Sequence, residues 1–90
     1  MSETHEARIK RMKMRSWRRG IREMDLILGP YADANLEHFD AAALDLFDTL
    51  LEENDQDLYP WFSGAQPCPP QYVELFAKIS TFMQGKLHKP

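Results

Sequence analysis

Ninety residues and 10.5 kDa leave room for one domain (1–90) with a single modest core, because a chain of this size buries only about 60–65% of its unfolded surface. A hydrophobic content of 43% with four Gly and six Pro excludes a disordered or collagen-like chain; the lone Cys68 excludes an internal disulfide, and no apolar run reaches the roughly 18 residues of a membrane span. The net charge of −3 hides an asymmetry that bears on partners more than on fold: eight of the 11 basic residues lie between Arg8 and Arg22, and 11 of the 14 acidic ones between Glu23 and Asp57.

The first predicted helix runs from about Thr4 to Arg18, with Thr4 or Ser2 as N-cap and Glu6 where the helix dipole favours a negative charge. Its apolar positions are sparse (Ala7, Ile9, Met12, Met14 and Trp17), and basic residues fill most of the rest. Gly20 interrupts it in the manner of a C-cap, a place where a positive φ favours glycine. In the second helix, from about Ile21, the residues Ile21, Met24, Ile27, Leu28 and Tyr31 recur at the three-four spacing of a buried face. Gly29-Pro30 should kink or end it after Leu28, since proline removes a backbone donor and clashes with the preceding turn; the helix can resume as far as Leu36.

A third helix, capped by Asp40, sets Leu44, Phe47, Leu50 and Leu51 on one face and Asp45, Asp48 and Glu52 on the other, and ends near Asn54. Asp55 or Asp57 then opens a short segment holding Leu58, Tyr59, Trp61 and Phe62, which Pro60 should restrict to a single turn before Ser63-Gly64. After the proline-rich loop at 66–70, Pro70 fits the first position of a last helix. Its apolar face is Tyr72, Val73, Phe76, Ile79, Phe82 and Met83, and Gly85 should stop it. Residues 85–90 are expected to fray, leaving an ordered core over about residues 4–84. The expected fold is all-α, a compact bundle of about five helices.

An enzyme needs convergent reactive groups, and the sequence brings none together. His5, His38 and His88 are scattered without metal-ligand spacing, and no glycine-rich loop precedes a helix to cradle phosphate. Cys68 lies between two prolines with no neighbouring base. The carboxylates at 45, 48 and 52 read as a solvated helix face rather than a metal site. No catalytic residue and no metal site are expected. The basic stretch fits a solvated helix face, a protein-docking face or a phosphate-binding face, although the acidic middle of the same domain would repel nucleic acid.

The five residues Arg19-Gly20-Ile21-Arg22-Glu23 are the most informative. They can be read as a capping glycine followed by a weak Arg–Glu surface pair four residues apart. They can equally be read as bare backbone at a helix junction, where glycine lets a partner approach and a flanking arginine fork and carboxylate fix its orientation.

The stretch Arg15-Ser16-Trp17-Arg18-Arg19-Gly20-Ile21-Arg22-Glu23-Met24-Asp25 resembles the RGxxE signature of the SdhE family of succinate dehydrogenase assembly factors. Downstream, Leu50-Leu51-Glu52 leads through Asp55 and Asp57 to Leu58-Tyr59-Pro60-Trp61-Phe62, similar to that family's LLE…D-x-DLY-x-W segment. The likeness spans about residues 7–84, and Pro60 departs from the family's pattern inside the fourth helix.

The resemblance implies a binding protein and not an enzyme: a chaperone-like factor that docks on the flavoprotein subunit of succinate dehydrogenase and promotes its covalent attachment of FAD. It puts Arg19, Gly20 and Glu23 at the interface, with Asp25, Arg15 and Arg11 as extensions. Arg19 would pair with a client carboxylate or carbonyl, and Glu23 would orient Arg19 or a client group. FAD would be the client's cofactor; nothing in the sequence would hold an isoalloxazine ring, so none is expected to bind stably here. Fumarate reductase is a candidate second client, and no nucleic-acid partner or membrane insertion is implied. The rival reading is a small nucleic-acid-binding or antitoxin-like regulator acting through the basic first helix. With Glu3 and Glu6 at its start, the chain does not look like a mitochondrial leader, and a cytoplasmic location is expected.

Overall fold

A computed structural model describes residues 3–87. Among these, five α-helices follow one another without a strand: α1 (His5–Trp17), α2 (Arg22–Asn35), α3 (Ala41–Leu51), α4 (Asp55–Ser63) and α5 (Val73–Leu87). Short 3-10 turns, Leu36–His38 and Pro70–Tyr72, lead into α3 and α5. Thr4 caps α1 by accepting the Ala7 N–H at 3.0 Å, and Asp40 caps α3 by accepting that of Ala43 at 2.8 Å. Each cap satisfies a donor that the first helical turn leaves without a partner.

α1 lies chiefly on α2 and also meets α3, while α2 touches α4 and α5. Met12, Met24, Leu28, Leu36, Phe47, Leu50, Leu58, Tyr72 and Ile79 are wholly buried in one cluster. Tyr31 joins Phe39, Phe47 and Phe82 at ring-centroid distances of 5.6–6.1 Å, in edge-on and tilted contacts that aromatic quadrupoles favour. A second group, Trp61, Tyr72, Phe76 and Phe62, ties α4 to α5.

The prolines do less than the sequence leads one to expect. α2 does not end at Gly29-Pro30 but continues to Asn35. Leu28, Tyr31, Ala32 and Leu36 are at most 3% exposed on both sides of Pro30. Burying these side chains, at roughly 1.5–3 kcal/mol for each large one, outweighs the roughly 3 kcal/mol that an interior proline costs. α4 is likewise nine residues long and not a single turn, because Leu58, Trp61 and Phe62 all reach the core cluster. It ends in Gly64 at φ 85°, the left-handed region that suits glycine.

Four further expectations change, three of them at helix ends. α3 stops at Leu51 rather than near Asn54, because the Leu51 carbonyl is taken by two arginine side chains. Pro70 opens the 3-10 turn and not the α-helix, and Leu75 replaces the exposed Val73 on the buried face of α5. Gly85 does not stop α5, which continues to Leu87; the rest of the tail expected to fray, residues 88–90, lies outside the described residues.

Candidate partner-binding site

Arg18 closes α1 and Ile21 opens α2, so Arg19 and Gly20 carry the connection between them. Both backbone donors are held by carboxylates. The Arg19 N–H donates to Asp25 Oδ1 at 2.6 Å, and the Gly20 N–H donates to Asp55 Oδ2. Asp25 and Asp55 each sit in the first turn of a helix, α2 and α4, where the macrodipole favours negative charge.

The Arg19 side chain closes the arrangement from below. Its Nε donates to Asp55 Oδ1 at 2.8 Å, Nη1 to the Leu51 carbonyl at 2.9 Å, and Nη2 to the Glu53 carbonyl at 2.8 Å. With the side chains of Arg19 7% and Asp55 12% exposed, the pair is largely shielded from water, and the guanidinium stabilises the carbonyl end of α3. Glu53 in turn accepts the Tyr72 hydroxyl at 2.8 Å, which links the turn to the start of α5.

These contacts bear on the roles read from the sequence. The Arg19 guanidinium, expected to pair with a client group, is engaged inside the molecule by Asp55 and the Leu51 and Glu53 carbonyls. Glu23 does not orient it, because Gly20 and Ile21 are not helical and the four-residue spacing brings no contact. Gly20 has no positive φ; Gly64 alone does among the described residues. A Cβ added at Gly20 would meet only Asp55 Oδ2, at 3.1 Å. The backbone conformation therefore does not require glycine here, and the site is open on its outer side.

Arg11 and Arg15 are also engaged internally. Arg8, Arg11 and Arg15 face Asp45, Asp48 and Glu52 at a constant offset of 37 residues, so the two helices run in the same direction with matched charge spacing. Arg8 reaches Asp45 at 2.7 Å, Arg11 reaches Asp48 at 2.8 Å and Glu3 at 2.7 Å, and Arg15 pairs with Glu52. The Arg11 guanidinium holds the Asp48 carboxyl below its ordinary range, against the opposing effect of partial burial. The same two carboxylates, Asp48 first and then Glu3, push Arg11 upward.

The acidic face of α3 is thus not merely solvated: it neutralises α1. Lys13 meets Glu37 at 3.5 Å, and with Arg19 on Asp55, five of the eight clustered cations are paired within the chain. Lys10, Arg18 and Arg22 are exposed and make no ion pair among the described residues. The nucleic-acid reading loses its basis, since most of the charge that suggested it is already satisfied.

What remains free around Gly20 is the rim. Arg18, Arg22 and Glu23 are exposed, with no side-chain hydrogen bond or ion pair among the described residues, and Arg18 lines a shallow polar cleft with Arg15, Gly20, Glu52 and Asn54. Four large apolar side chains of α1, α2 and their connection are also exposed: Met14 45%, Trp17 40%, Ile21 37% and Leu26 48%. The Trp17 indole lies on bare backbone at Gly29 and donates to Asp33 Oδ2 at 3.0 Å.

The sequence reading missed Asp55, Asp33 and Gly29 as site-shaping residues. Asp55 belongs to a segment it had noted, but pairing across 35 residues leaves no local signal. A concavity of about 600 Å³ between α3, α5 and the Leu36–His38 turn includes none of residues 18–25. Among the described residues no group of three or more His, Cys, Asp or Glu is placed to hold a metal ion, and no helix is long and apolar enough to cross a membrane.

Fold and site together define a small all-α protein whose distinctive feature is a surface turn hydrogen-bonded from within, with exposed charge on its rim. Residues 10–83 match the Sdh5 family, described as the flavinator of succinate dehydrogenase, and the chain belongs to that family. It is 42% identical over 77 residues to a FAD assembly factor SdhE of Francisella tularensis, covering 80% of each chain. It is 31% identical over 86 residues to a mitochondrial succinate dehydrogenase assembly factor 2 of Schizosaccharomyces pombe, covering 93% of this chain and 62% of that one. A further mitochondrial assembly factor 2, of Scheffersomyces stipitis, is 44% identical over 85 residues, covering 91% of this chain and 56% of the other. The chain spans between about a third and two-thirds of the length of the first mitochondrial relatives it matches. These relatives are named as assembly factors rather than as catalysts.

Proposed function

We propose that this protein is an assembly factor that docks on the flavoprotein subunit of succinate dehydrogenase and promotes its covalent FAD attachment. The observation that carries the reading is the turn at Gly20: backbone fixed from within, bare on its outer side and flanked by the unpaired Arg18, Arg22 and Glu23. A rigid, open backbone edge with charges of both signs suits docking, because little conformational freedom is lost on binding. Family membership and the names of the relatives support the client and the chemistry.

In this reading Gly20 admits the client's backbone, Arg18, Arg22 and Glu23 contact client groups, and Arg19, Asp25, Arg11 and Arg15 hold the surface in place. The factor stabilises a client conformation in which the flavin bond forms, and contributes no reacting group of its own. FAD belongs to the client, and this chain holds none stably. The bacterial relative, covered over 80% of its length, supports a cytoplasmic place of action.

Covalent flavin survives denaturation, so fluorescence of the flavoprotein band in denaturing gels reads the product directly. Deleting the gene should dim that band, and the wild-type gene should restore it while Gly20→Arg should not. An undimmed band after deletion would overturn the proposal.

A further inference from the structure

The turn at Gly20 is held by a residue that lies 35 positions away, and this points to a role beyond packing. Asp55 uses both carboxylate oxygens on the same two residues: Oδ2 accepts the Gly20 N–H and Oδ1 accepts Arg19 Nε at 2.8 Å. Its own place at the start of α4 is fixed by the helix, and Arg19 is anchored in turn on the Leu51 and Glu53 carbonyls. The outward face of Gly20 is left untouched.

A buried ion pair is a poor source of stability compared with an apolar pair of the same volume, and its best-attested use is to specify one geometry over others. Here the geometry specified is that of an exposed stretch of backbone at Gly20. We infer that Asp55 is a positioning residue for docking: it fixes the Gly20 edge in the conformation that the flavoprotein subunit recognises. The inference rests on the proposed function for its client, and on the geometry alone for the latch.

Two predictions follow from the bonding. Asp55→Ala removes both acceptors, so the Gly20 amide loses its protection and the turn samples other conformations. Asp55→Asn keeps one side-chain oxygen, which can serve either the Gly20 N–H or Arg19 but not both as an anion does.

The test uses the full-length chain in three forms (wild type, Asp55→Ala and Asp55→Asn), each checked for native helicity by circular dichroism at the working temperature. Hydrogen exchange at the Gly20 amide is measured on the free protein, and affinity is measured on purified flavoprotein subunit loaded non-covalently with FAD. Asp55→Ala should speed Gly20 exchange and weaken binding by at least about tenfold each, with Asp55→Asn between it and wild type on both scales. A purely structural role would lower the thermal midpoint without moving affinity among fully folded variants.

Wild-type affinity in a folded variant with a deprotected Gly20 amide would overturn the inference. So would lost affinity with the amide still protected. If Asp55→Ala does not fold, Asp55→Asn decides by the same two criteria. If wild-type chain fails to bind the subunit, the assembly-factor reading falls and the docking role with it, while the exchange comparison still reports whether Asp55 holds the turn.

Discussion

Glycine in a helix interior normally costs about 0.5–1 kcal/mol relative to alanine, so replacing one usually stabilises. Gly29 in α2 should behave in the opposite way. A Cβ there would fall 2.5 Å from Trp17 Cε2 and 2.7 Å from Cε3, closer than carbon atoms approach, and the indole would have to leave its seat. Trp17 is 40% exposed, so about three-fifths of the roughly 150–250 Å² that an aromatic side chain buries is at stake, about 2–4 kcal/mol at about 25 cal/mol per Å². The indole would keep part of that contact after shifting but lose its hydrogen bond to Asp33, itself about 0.5–1.5 kcal/mol. Set against the helical gain, Gly29→Ala should destabilise by about 1–2 kcal/mol, lowering the thermal midpoint by about 4–16 °C in a domain of this size. In a Trp17→Ala background the obstruction is gone, and the same substitution should stabilise by about 0.5–1 kcal/mol. Urea unfolding of the four proteins, followed by circular dichroism, measures both. A Gly29→Ala effect of the same sign in both backgrounds would refute the reasoning.

Other consequences are open to simpler tests. Asp48 has its pKa lowered by Arg11, so the stability it supplies is complete above its unfolded value near pH 4 and is lost as pH falls through the lower folded value; between about pH 5 and pH 2 the wild-type midpoint should fall further than that of Asp48→Asn, and parallel curves would contradict the pairing. Tyr72→Phe removes the hydrogen bond to Glu53 and should cost about 1–2 kcal/mol in chemical unfolding with helicity retained, whereas no change would mean that water replaces the hydroxyl without loss. With only Lys10, Arg18 and Arg22 of the basic cluster unpaired among the described residues, any binding to duplex DNA should show a log–log salt slope of about −3 or shallower, and a slope near about −7 would show that the internal pairs open for phosphate.

Much of the fold was legible locally. Thr4 and Asp40 announce helix starts through their own side chains, and the spacing of Leu44, Phe47, Leu50 and Leu51 fixes the buried face of α3. The prolines misled because Pro30 and Pro60 carry a local penalty, while the compensation comes from side chains that other helices cover. The charge pattern is the instructive middle case. Basic residues at 8, 11 and 15 and acidic ones at 45, 48 and 52 share one spacing, so their mutual neutralisation was encoded in plain view. Deciding it, however, needed α1 and α3 to lie side by side in the same direction.

The sequence by itself determined an all-α fold of about five helices, and it singled out the segment around Gly20. Only the tertiary structure decided which side chains of that segment are engaged within the molecule. Arg19 is turned inward by Asp55, Leu51 and Glu53, while Arg18, Arg22 and Glu23 stay exposed near Gly20. The reason is one of range. Capping and periodicity act over a few residues and can be read along the chain, whereas the direction in which a long side chain points at a helix junction depends on which carboxylates and carbonyls the rest of the fold brings within about 3 Å of it.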